Sequence, residues 1–403
     1  MSQENVLLAR QPIYNAKKEV VAYELLFRPE TEFDMPEFDG HKATSRVLLN
    51  AFTESDIASI TGGLPAFVNF TEELIHSPPP FNAKHLVIEV LEDTLITDHL
   101  VSSLKKLKQK GYKIALDDFV MDKKYAPLLE LADIIKLELP QMDGAILDST
   151  IAQLKPYPAQ LLAEKIETPE DYQRCLELGC TLFQGYFLSK PEIVRGKKMP
   201  SDKLVVLKLL SELQNPAIDV KKLNEIISHD PSLSFKLLKL VNSAAFRRNQ
   251  PIESIHMAIM MLGISRVKSW ASMLALSNLE NKPLALRHIS LVRARQCELL
   301  AEHLEPEQKD TYFTIGMLSC LDAYFDLPLQ EILQKINLQG TIRDALTHYK
   351  GRPGLALHTV KHYDSSHWHD IHWGLLAKIG IDSVEINKMF IEAIIWANAH
   401  NDA

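Results

Sequence analysis

Polar side chains recur at the ends of strand-like apolar runs in the first half of the sequence. The residues in question are Glu24, Asn69, Glu89, Asp117, Asp118, Lys136, Glu164, Glu167 and Gln184. Apolar runs of four to eight residues, separated by helix-length segments, are typical of parallel strands buried on both faces. The carboxyl ends of such strands meet at one mouth of a βα barrel, where active sites are built. An amide and several carboxylates at one mouth therefore predict a metal site.

Such a site could cleave a phosphodiester. Two divalent cations can activate water, stabilise the phosphoryl oxygens and neutralise the leaving oxygen. A ligand set made only of oxygen atoms favours Mg²⁺ or Mn²⁺ and disfavours Zn²⁺. Lys136 could position water or offset phosphate charge. For each residue alone, a structural salt bridge is as good an explanation as a functional role. The complete set favours a functional site. A relic site that kept its ligands without activity is an open alternative.

The strand–helix alternation extends from about Leu7 to Leu188, and nearly everything beyond it has helical periodicity. The predicted fold class is therefore α/β, a TIM-like (β/α) barrel, followed by an all-α domain. We place the barrel domain at 1–192, a linker rich in proline and basic residues at 193–202, and the helical domain at 203–403. A chain of 403 residues has ample length for two such cores.

Net charge, cysteine spacing and the length of apolar runs limit the partners and the cellular compartment that we expect for this protein. A net charge of −8 argues against nucleic acid as the main partner, so no direct nucleic-acid binding is expected. The four cysteines form no C-x-x-C pair, which favours free thiols in a reducing compartment. No signal-peptide core and no apolar run of about 18 residues is found, so we expect a cytoplasmic protein without a membrane segment.

The series ELLFR, VNF, IEVLED, ALDDF, IKLE, AEKIE and QGYF resembles the EAL domain family, which hydrolyses the bacterial second messenger cyclic di-GMP. The resemblance covers about Leu7 to Pro191. It implies a two-metal site with Mg²⁺ or Mn²⁺, catalytic groups, nucleotide contacts and a loop anchor. The implied metal ligands are Glu24, Asn69, Glu89, Asp117 and Asp118, and the implied catalytic residues are Lys136, Glu164 and Glu167. The implied substrate contacts are Gln11, Pro12, Arg28 and Gln184, and the loop anchor is Glu92.

Three features depart from the EAL pattern. The signature tripeptide reads Glu24-Leu25-Leu26, and the Lys-Ile-Asp motif reads Lys136-Leu137-Glu138. The loop after Asp118 reads Phe119-Val120-Met121-Asp122-Lys123-Lys124-Tyr125, where active relatives have glycine and other small residues. Glycine permits backbone conformations that valine and methionine resist. In the family this loop couples metal binding to dimerisation, so turnover and a homodimer are both placed in question.

From Leu204 onward the sequence is similar to the HDOD family of helical output domains. The segments that carry this likeness are 229–246 and 252–270. Catalytic relatives with a His-Asp metal pair have that pair where this chain has Ser319 and Cys320. A hydroxyl and a neutral thiol cannot replace it for a hard cation, so we expect a metal-free, non-catalytic domain that relays a signal to an unidentified protein partner.

Two other motifs have competing interpretations. His229-Asp230 precedes Pro231, and Asp230 is better explained as a helix cap than as a metal ligand. The segment His367-Trp368-His369-Asp370-Ile371-His372-Trp373 could bind a metal, because we expect His369 and His372 to share one helix face and Asp370 could contribute. Its two tryptophans favour an aromatic packing segment or a partner contact instead.

Three hypotheses follow for function. The first is hydrolysis of cyclic di-GMP to linear pGpG, with the helical domain as output toward behaviour such as motility or biofilm formation. The second is a catalytically weak or silent cyclic di-GMP receptor or scaffold, supported by the altered loop at 119–125. The third is an interaction module that binds no nucleotide.

Overall fold

The chain folds into two compact units, residues 1–187 and 188–403. The computed structural model describes residues 6–29, 54–76, 78, 82–92, 94–142, 144–185, 201–242, 252–277, 279, 282–336 and 338–400. The proposed linker at 193–202 lies outside these ranges up to residue 200, and a helix begins at Ser201. The boundaries given for the two domains therefore stay a prediction.

The first unit is a closed barrel of eight strands in sequential order. The strands are β1 (Val6–Asn15), β2 (Val20–Pro29), β3 (Ala66–Phe70), β4 (Leu86–Val90), β5 (Lys113–Leu116), β6 (Ile134–Glu138), β7 (Gln160–Glu164) and β8 (Leu182–Gln184). The first strand is antiparallel to β2 and to β8, and all other neighbours are parallel. The carboxyl ends of β2 to β8 therefore meet at one mouth, as predicted.

Helices in this unit lie between the parallel strands along the chain. They are α1 (Glu54–Thr61), α2 (Glu72–His76), α3 (Asp98–Gln109), α4 (Ala126–Leu129), α5 (Gly144–Leu154) and α6 (Pro169–Leu178). Local signals set the ends of α6: the hydroxyl of Thr168 accepts from the Asp171 amide at 3.1 Å, and Gly179 ends the helix at φ +108°. The predicted helix at 43–55 lies outside the described residues except for its last two positions.

Two layers of side chains fill the barrel. Successive side chains of a strand point to opposite faces, so residues two apart share the interior. The lower layer is a buried apolar cluster with one residue from each strand: Ile13, Ala22, Phe67, Val87, Ala115, Ile134, Leu162 and Leu182. Moving two residues toward the mouth on each strand reaches Gln11, Glu24, Asn69, Glu89, Asp117, Lys136, Glu164 and Gln184. A buried apolar layer thus supports a polar layer at the mouth.

The second unit is helical throughout its described residues, which confirms the predicted class. Its helices are α7 (Ser201–Leu213), α8 (Val220–Ser228), α9 (Pro231–Val241), α10 (Ile255–Leu262), α11 (Ile264–Ser277), α12 (Leu284–Leu304), α13 (Lys309–Leu318), α14 (Leu321–Phe325), α15 (Leu329–Leu333), α16 (Gly340–His348), α17 (Gly351–Asp364), α18 (Trp373–Ala377) and α19 (Ser383–His400). The long helix α12 packs against α13, α17 and α19. None of the helices in the described ranges is both long and apolar enough to span a membrane.

The two ambiguous motifs of this unit have clear structural roles. Asp230 caps α9, because its carboxylate accepts from the Leu233 amide at 3.0 Å, and this confirms the capping interpretation. The shared helix face expected for His369 and His372 is wrong: His369 lies in a short 3₁₀ turn and His372 precedes α18. Trp368 is buried and donates to the Tyr363 carbonyl at 3.2 Å, as a packing segment would.

Cys320 lies beside a buried cation. The Arg293 guanidinium donates to the Cys320 Sγ at 3.4 Å and twice to the Asp364 carboxylate, at 3.0 and 2.9 Å. The pKa of Arg293 is raised, because the neighbouring Cys320 and Asp364 outweigh the opposing effect of its burial. An arginine–carboxylate pair thus fills the surroundings of Cys320. The prediction of a metal-free helical domain stays a prediction.

Candidate active site

The ammonium of Lys136 lies at the centre of the polar layer. Its Nζ is 2.9 Å from Glu24, 2.7 Å from Glu89, 2.7 Å from Asp117 and 3.0 Å from Glu164. These four carboxylates come from four different strand ends, and the Lys136 side chain is only 1% exposed. The barrel register therefore brings together four acids that the sequence separates by up to 140 residues, from position 24 to position 164.

Burial and mutual repulsion control the charges of this cage. Burial raises the pKa of Glu89 and of Glu164 well above the ordinary value, and Lys136 opposes that rise. The surrounding carboxylates, Asp117 foremost, overcome the burial of Lys136 and raise its pKa well above the ordinary value. Lys136 is thus a charged ammonium at neutral pH, and two of the acids beside it, Glu89 and Glu164, bind protons more tightly than usual.

The turn after β5 places two aspartates at the mouth. The Asp117 amide donates to the Val90 carbonyl at 3.0 Å, and Asp118 has φ +39°, in the left-handed region. Ligand oxygens of Asp117, Asp118 and Glu164 lie within 4.8 Å of one another, a spacing that a metal ion could bridge. Glu164, assigned above to catalysis, therefore also lies where a metal ligand would.

Glu138 and Lys165 join the site beside Asp118. Burial, together with Asp117 and Glu138, raises the pKa of Asp118 to about 7, and Glu138 also forms a hydrogen bond with it. The Lys165 ammonium lies 2.6 Å from the Glu138 carboxylate. The site prediction missed both residues. The available signal was the spacing of Lys136 and Glu138, since residues two apart on one strand face the same side.

Gln184 connects three strands at the mouth. Its amide Nε2 donates to Gln11 Oε1 at 2.8 Å and to the Glu24 carboxylate. Gly185 has φ +145°, and a Cβ there would lie 2.2 Å from the Ile166 carbonyl oxygen. The glycine is therefore needed for the close backbone approach that fixes Gln184. The structure thus brings Gln11, Gln184 and Glu24 together.

The remaining predicted residues lie around this core. Pro12 is half-buried on β1 opposite Tyr23. Arg28 lies on β2 opposite Leu7, and its side chain is outside the described residues. Glu167 is exposed on the chain that follows β7, and the side chain of Glu92 is exposed as well. Pro12 and Glu92 add no described side-chain contact to the carboxylate cage.

The loop at 119–125, which follows Asp118 and contains no glycine, is anchored by aromatic packing. Phe119 is buried and lies edge-on to Tyr125, with ring centroids 5.3 Å apart. The Tyr125 hydroxyl donates to the backbone carbonyl of Glu92 at 2.9 Å, and the Phe119 amide donates to the Lys136 carbonyl at 3.1 Å. Glu92 therefore contacts this loop through its backbone carbonyl, and its role as the loop anchor stays a prediction.

We expect Tyr125→Phe to lower the free energy of unfolding by about 0.5–1.5 kcal/mol, because it leaves the Glu92 carbonyl without its donor. Chemical denaturation would measure the loss. Tyr157→Phe is the matched control, since no hydrogen bond of that hydroxyl is described. Equal stability of the two variants would show that the Tyr125 hydroxyl does not hold the loop.

The mouth fits divalent cations by charge and by its acceptors. Glu24, Glu89, Asp117, Asp118 and Glu164 with Lys136 carry a formal charge of −4 when ionised, which two divalent cations would offset. Glu89 Oε2 and Gln184 Oε1 are buried and accept no hydrogen bond from the described residues. Buried acceptors without donors are costly, and a cation would satisfy them. Carboxylate and amide oxygens are the ligands that Mg²⁺ and Mn²⁺ prefer.

The fold and the mouth agree with the families that match the sequence. The model of the EAL domain matches residues 56–191, and the model of the HDOD domain matches residues 199–338. The chain is thus an EAL-type barrel joined to an HDOD-type helical unit.

Two relatives match this arrangement over nearly their whole length. The uncharacterized protein YuxH of Bacillus subtilis is 36% identical over 99% of this chain and 99% of its own. The cyclic di-GMP phosphodiesterase CdgJ of Vibrio cholerae is 30% identical over 98% of this chain and 93% of its own. A solved complex of Klebsiella pneumoniae BlrP1 with manganese and cyclic di-GMP covers 46% of this chain and 56% of that chain, at 25% identity and a TM-score of 0.37. The chain therefore belongs to the family of two-domain EAL–HDOD proteins.

Proposed function

We propose that this protein is a cyclic di-GMP phosphodiesterase whose HDOD unit serves as a non-catalytic output domain. The observation that carries the proposal is the set of five carboxylates, one asparagine, one lysine and two glutamines that eight strands bring to one mouth. CdgJ, named a cyclic di-GMP phosphodiesterase, aligns with 98% of this chain, so its activity is the natural one to test.

Residues at the mouth would divide the work of binding and hydrolysis. Glu24, Asn69, Glu89, Asp117 and Asp118 would hold two divalent cations, Mg²⁺ or Mn²⁺. When bound, these cations would supply a nucleophilic water and offset phosphate charge. Gln11, Pro12, Arg28 and Gln184 would hold the nucleotide at the rim.

The chemical step is a hydrolysis that opens the cyclic dinucleotide. Water adds to one phosphorus atom, one phosphorus–oxygen bond to ribose breaks, and the freed oxygen takes a proton, which gives linear pGpG. Lys136 and Glu164 face each other at 3.0 Å in the cage, where they would orient the water and the phosphoryl oxygens. Glu167 would support this group from the rim.

We expect Glu24→Ala to lower cyclic di-GMP turnover by about 10²–10³-fold, because it removes a mouth carboxylate and its contacts with Lys136 and Gln184. Turnover with Mg²⁺ or Mn²⁺ and bound nucleotide would be measured in parallel on the full chain. The matched control is Glu130→Ala, an exposed acid outside the polar layer.

The outcomes separate the three hypotheses. Turnover that Glu24→Ala removes and Glu130→Ala leaves intact supports the enzyme. Binding without turnover would make the protein a receptor, the function that the aromatic packing of Phe119 and Tyr125 at the altered loop favours. No binding at all would leave an interaction module. If Arg28→Ala leaves a measured affinity unchanged, the assignment of the nucleotide site is wrong.

A further inference from the structure

Two histidines meet on the outer wall of the barrel, away from the polar layer. His76 ends α2 and His99 lies in the first turn of α3. The Nε2 of His76 is 3.0 Å from the Nδ1 of His99, and the ring centroids are 4.0 Å apart. Two imidazole nitrogens thus point at each other across the gap between two helices.

A carboxylate and a hydroxyl complete the surroundings of His76. Glu72, one helical turn earlier, places its Oε1 3.4 Å from the same Nε2. The Oγ of Ser103 lies 2.8 Å from the other ring nitrogen, Nδ1. A metal-bound histidine commonly donates its second ring N–H to such a neighbour, which fixes the tautomer and aims the lone pair. Ser103 can play this part for His76.

Two separations among these atoms, both measured from His76 Nε2, match the ligand shell of a transition ion. Two ligands about 2.1 Å from Zn²⁺ lie roughly 3.4 Å apart at the tetrahedral angle and roughly 3.0 Å apart at a right angle. The separations around His76 Nε2 are 3.0 Å to His99 and 3.4 Å to Glu72. Glu72 and His99 flank the His76 nitrogen, and the three donors do not all lie within 4.8 Å of one another in the structure. The Glu72 side chain, 46% exposed, would have to rotate toward His99 to bring all three onto one ion.

We propose that His76, His99 and Glu72 form a surface site for Zn²⁺. Imidazole nitrogens select an ion of this type, in contrast with the oxygen ligands of the barrel mouth. The ion would take the place of the hydrogen bond between the two rings and would join α2 to α3. These helices follow β3 and β4, which carry Asn69 and Glu89. The site is independent of the function proposed for the mouth.

The test is a Zn²⁺ titration of the full-length protein by calorimetry, with excess Mg²⁺ present. We expect a site that His76→Gln and His99→Gln each weaken at least about tenfold, because each removes a direct ligand. Ser103→Ala should weaken it less than either. His303→Gln, at an exposed histidine of α12, should leave the affinity unchanged.

A second arm separates this site from the mouth. Glu24→Ala should retain the Zn²⁺ affinity that His76→Gln loses, and Zn²⁺ should raise the Tm of wild type more than that of His76→Gln. Circular dichroism would establish that the variants are folded. Zn²⁺ affinity that is unchanged in both histidine variants, or that disappears with Glu24→Ala, would overturn the proposal.

Discussion

Lys136→Met is expected to destabilise the metal-free barrel by about 3–5 kcal/mol at neutral pH, the usual cost of removing one partner from a buried ion pair. The substitution keeps most of the side-chain volume. It leaves Glu24, Glu89, Asp117 and Glu164 facing one another without the cation that now lies 2.7–3.0 Å from each. For a unit of this size the loss corresponds to a fall in Tm of roughly 10 °C. Turnover should fall about 10²–10³-fold.

A neighbouring lysine provides the matched control. Lys165 pairs with Glu138 at 2.6 Å, but its side chain is 61% exposed. An ion pair open to water contributes little, so Lys165→Met should cost no more than about 1 kcal/mol. Scanning calorimetry in a chelator would compare the two variants. If both lower Tm equally, burial of the Lys136 ammonium is not what makes the cage dependent on it.

Mn²⁺ should restore the lost stability of Lys136→Met and should have no such additional effect on Lys165→Met. Divalent cations would take over the neutralisation of the carboxylates that Lys136 provides, so Mn²⁺ should restore much of the Tm of Lys136→Met. The Tm of Lys165→Met should respond to Mn²⁺ as wild type does. A Lys136→Met protein whose Tm does not rise with Mn²⁺ would show that these carboxylates do not bind the ion.

The barrel mouth was largely predictable because it depends on a local periodicity. A polar residue two positions after an interior apolar residue of the same strand faces the interior of the barrel as well. This rule places Glu89 above Val87 and Lys136 above Ile134. It holds for each strand separately, without knowledge of its neighbours. The predicted parallel strands with acids at their carboxyl ends therefore needed no tertiary information.

The contacts between strands could not be predicted in the same way. Lys136 lies among four carboxylates because the register of the whole barrel aligns the five strands that carry them, and no local pattern records that register. The hydrogen bond between Glu138 and Asp118 depends on the positive φ of Asp118, a property of the turn after β5. The prediction that His369 and His372 share a helix face was wrong for a related reason. The ring of His372 stacks on that of His358, with centroids 4.5 Å apart, and His358 lies fourteen positions earlier on α17.

The metal-free barrel is expected to lose stability as pH rises from about 4 to about 7. Asp118 has an ordinary pKa of 3.8 and a folded pKa of about 7, and burial raises the pKa of Glu89 and Glu164 as well. Between these values the folded barrel binds more protons than the unfolded chain, so the free energy of unfolding falls with rising pH. Lys136 does not change this slope, because its raised pKa keeps it charged throughout.

The helical unit should respond in the opposite direction. His358 is stacked between His362 and His372, at 4.0 and 4.5 Å, and burial with these neighbours lowers its pKa from 6.5 to about 4. Tyr349 lies edge-on to it, Lys361 adds to the fall, and Asp370 opposes it. At His358 the folded unit therefore binds fewer protons than the unfolded chain between pH 4 and 6.5, so this residue makes the unit more stable as pH rises.

Calorimetry in a chelator at several pH values would show the two trends as two unfolding transitions. With rising pH, the Tm of the barrel should fall and the Tm of the helical unit should rise. Asp118→Asn should flatten the trend of the barrel, because the amide stays neutral, and His358→Gln should flatten the trend of the helical unit. Mn²⁺ should reverse the barrel trend, since metal binding releases protons and strengthens with pH. A barrel transition that rises with pH in the chelator, or that keeps its full slope in Asp118→Asn, would contradict the raised pKa of Asp118.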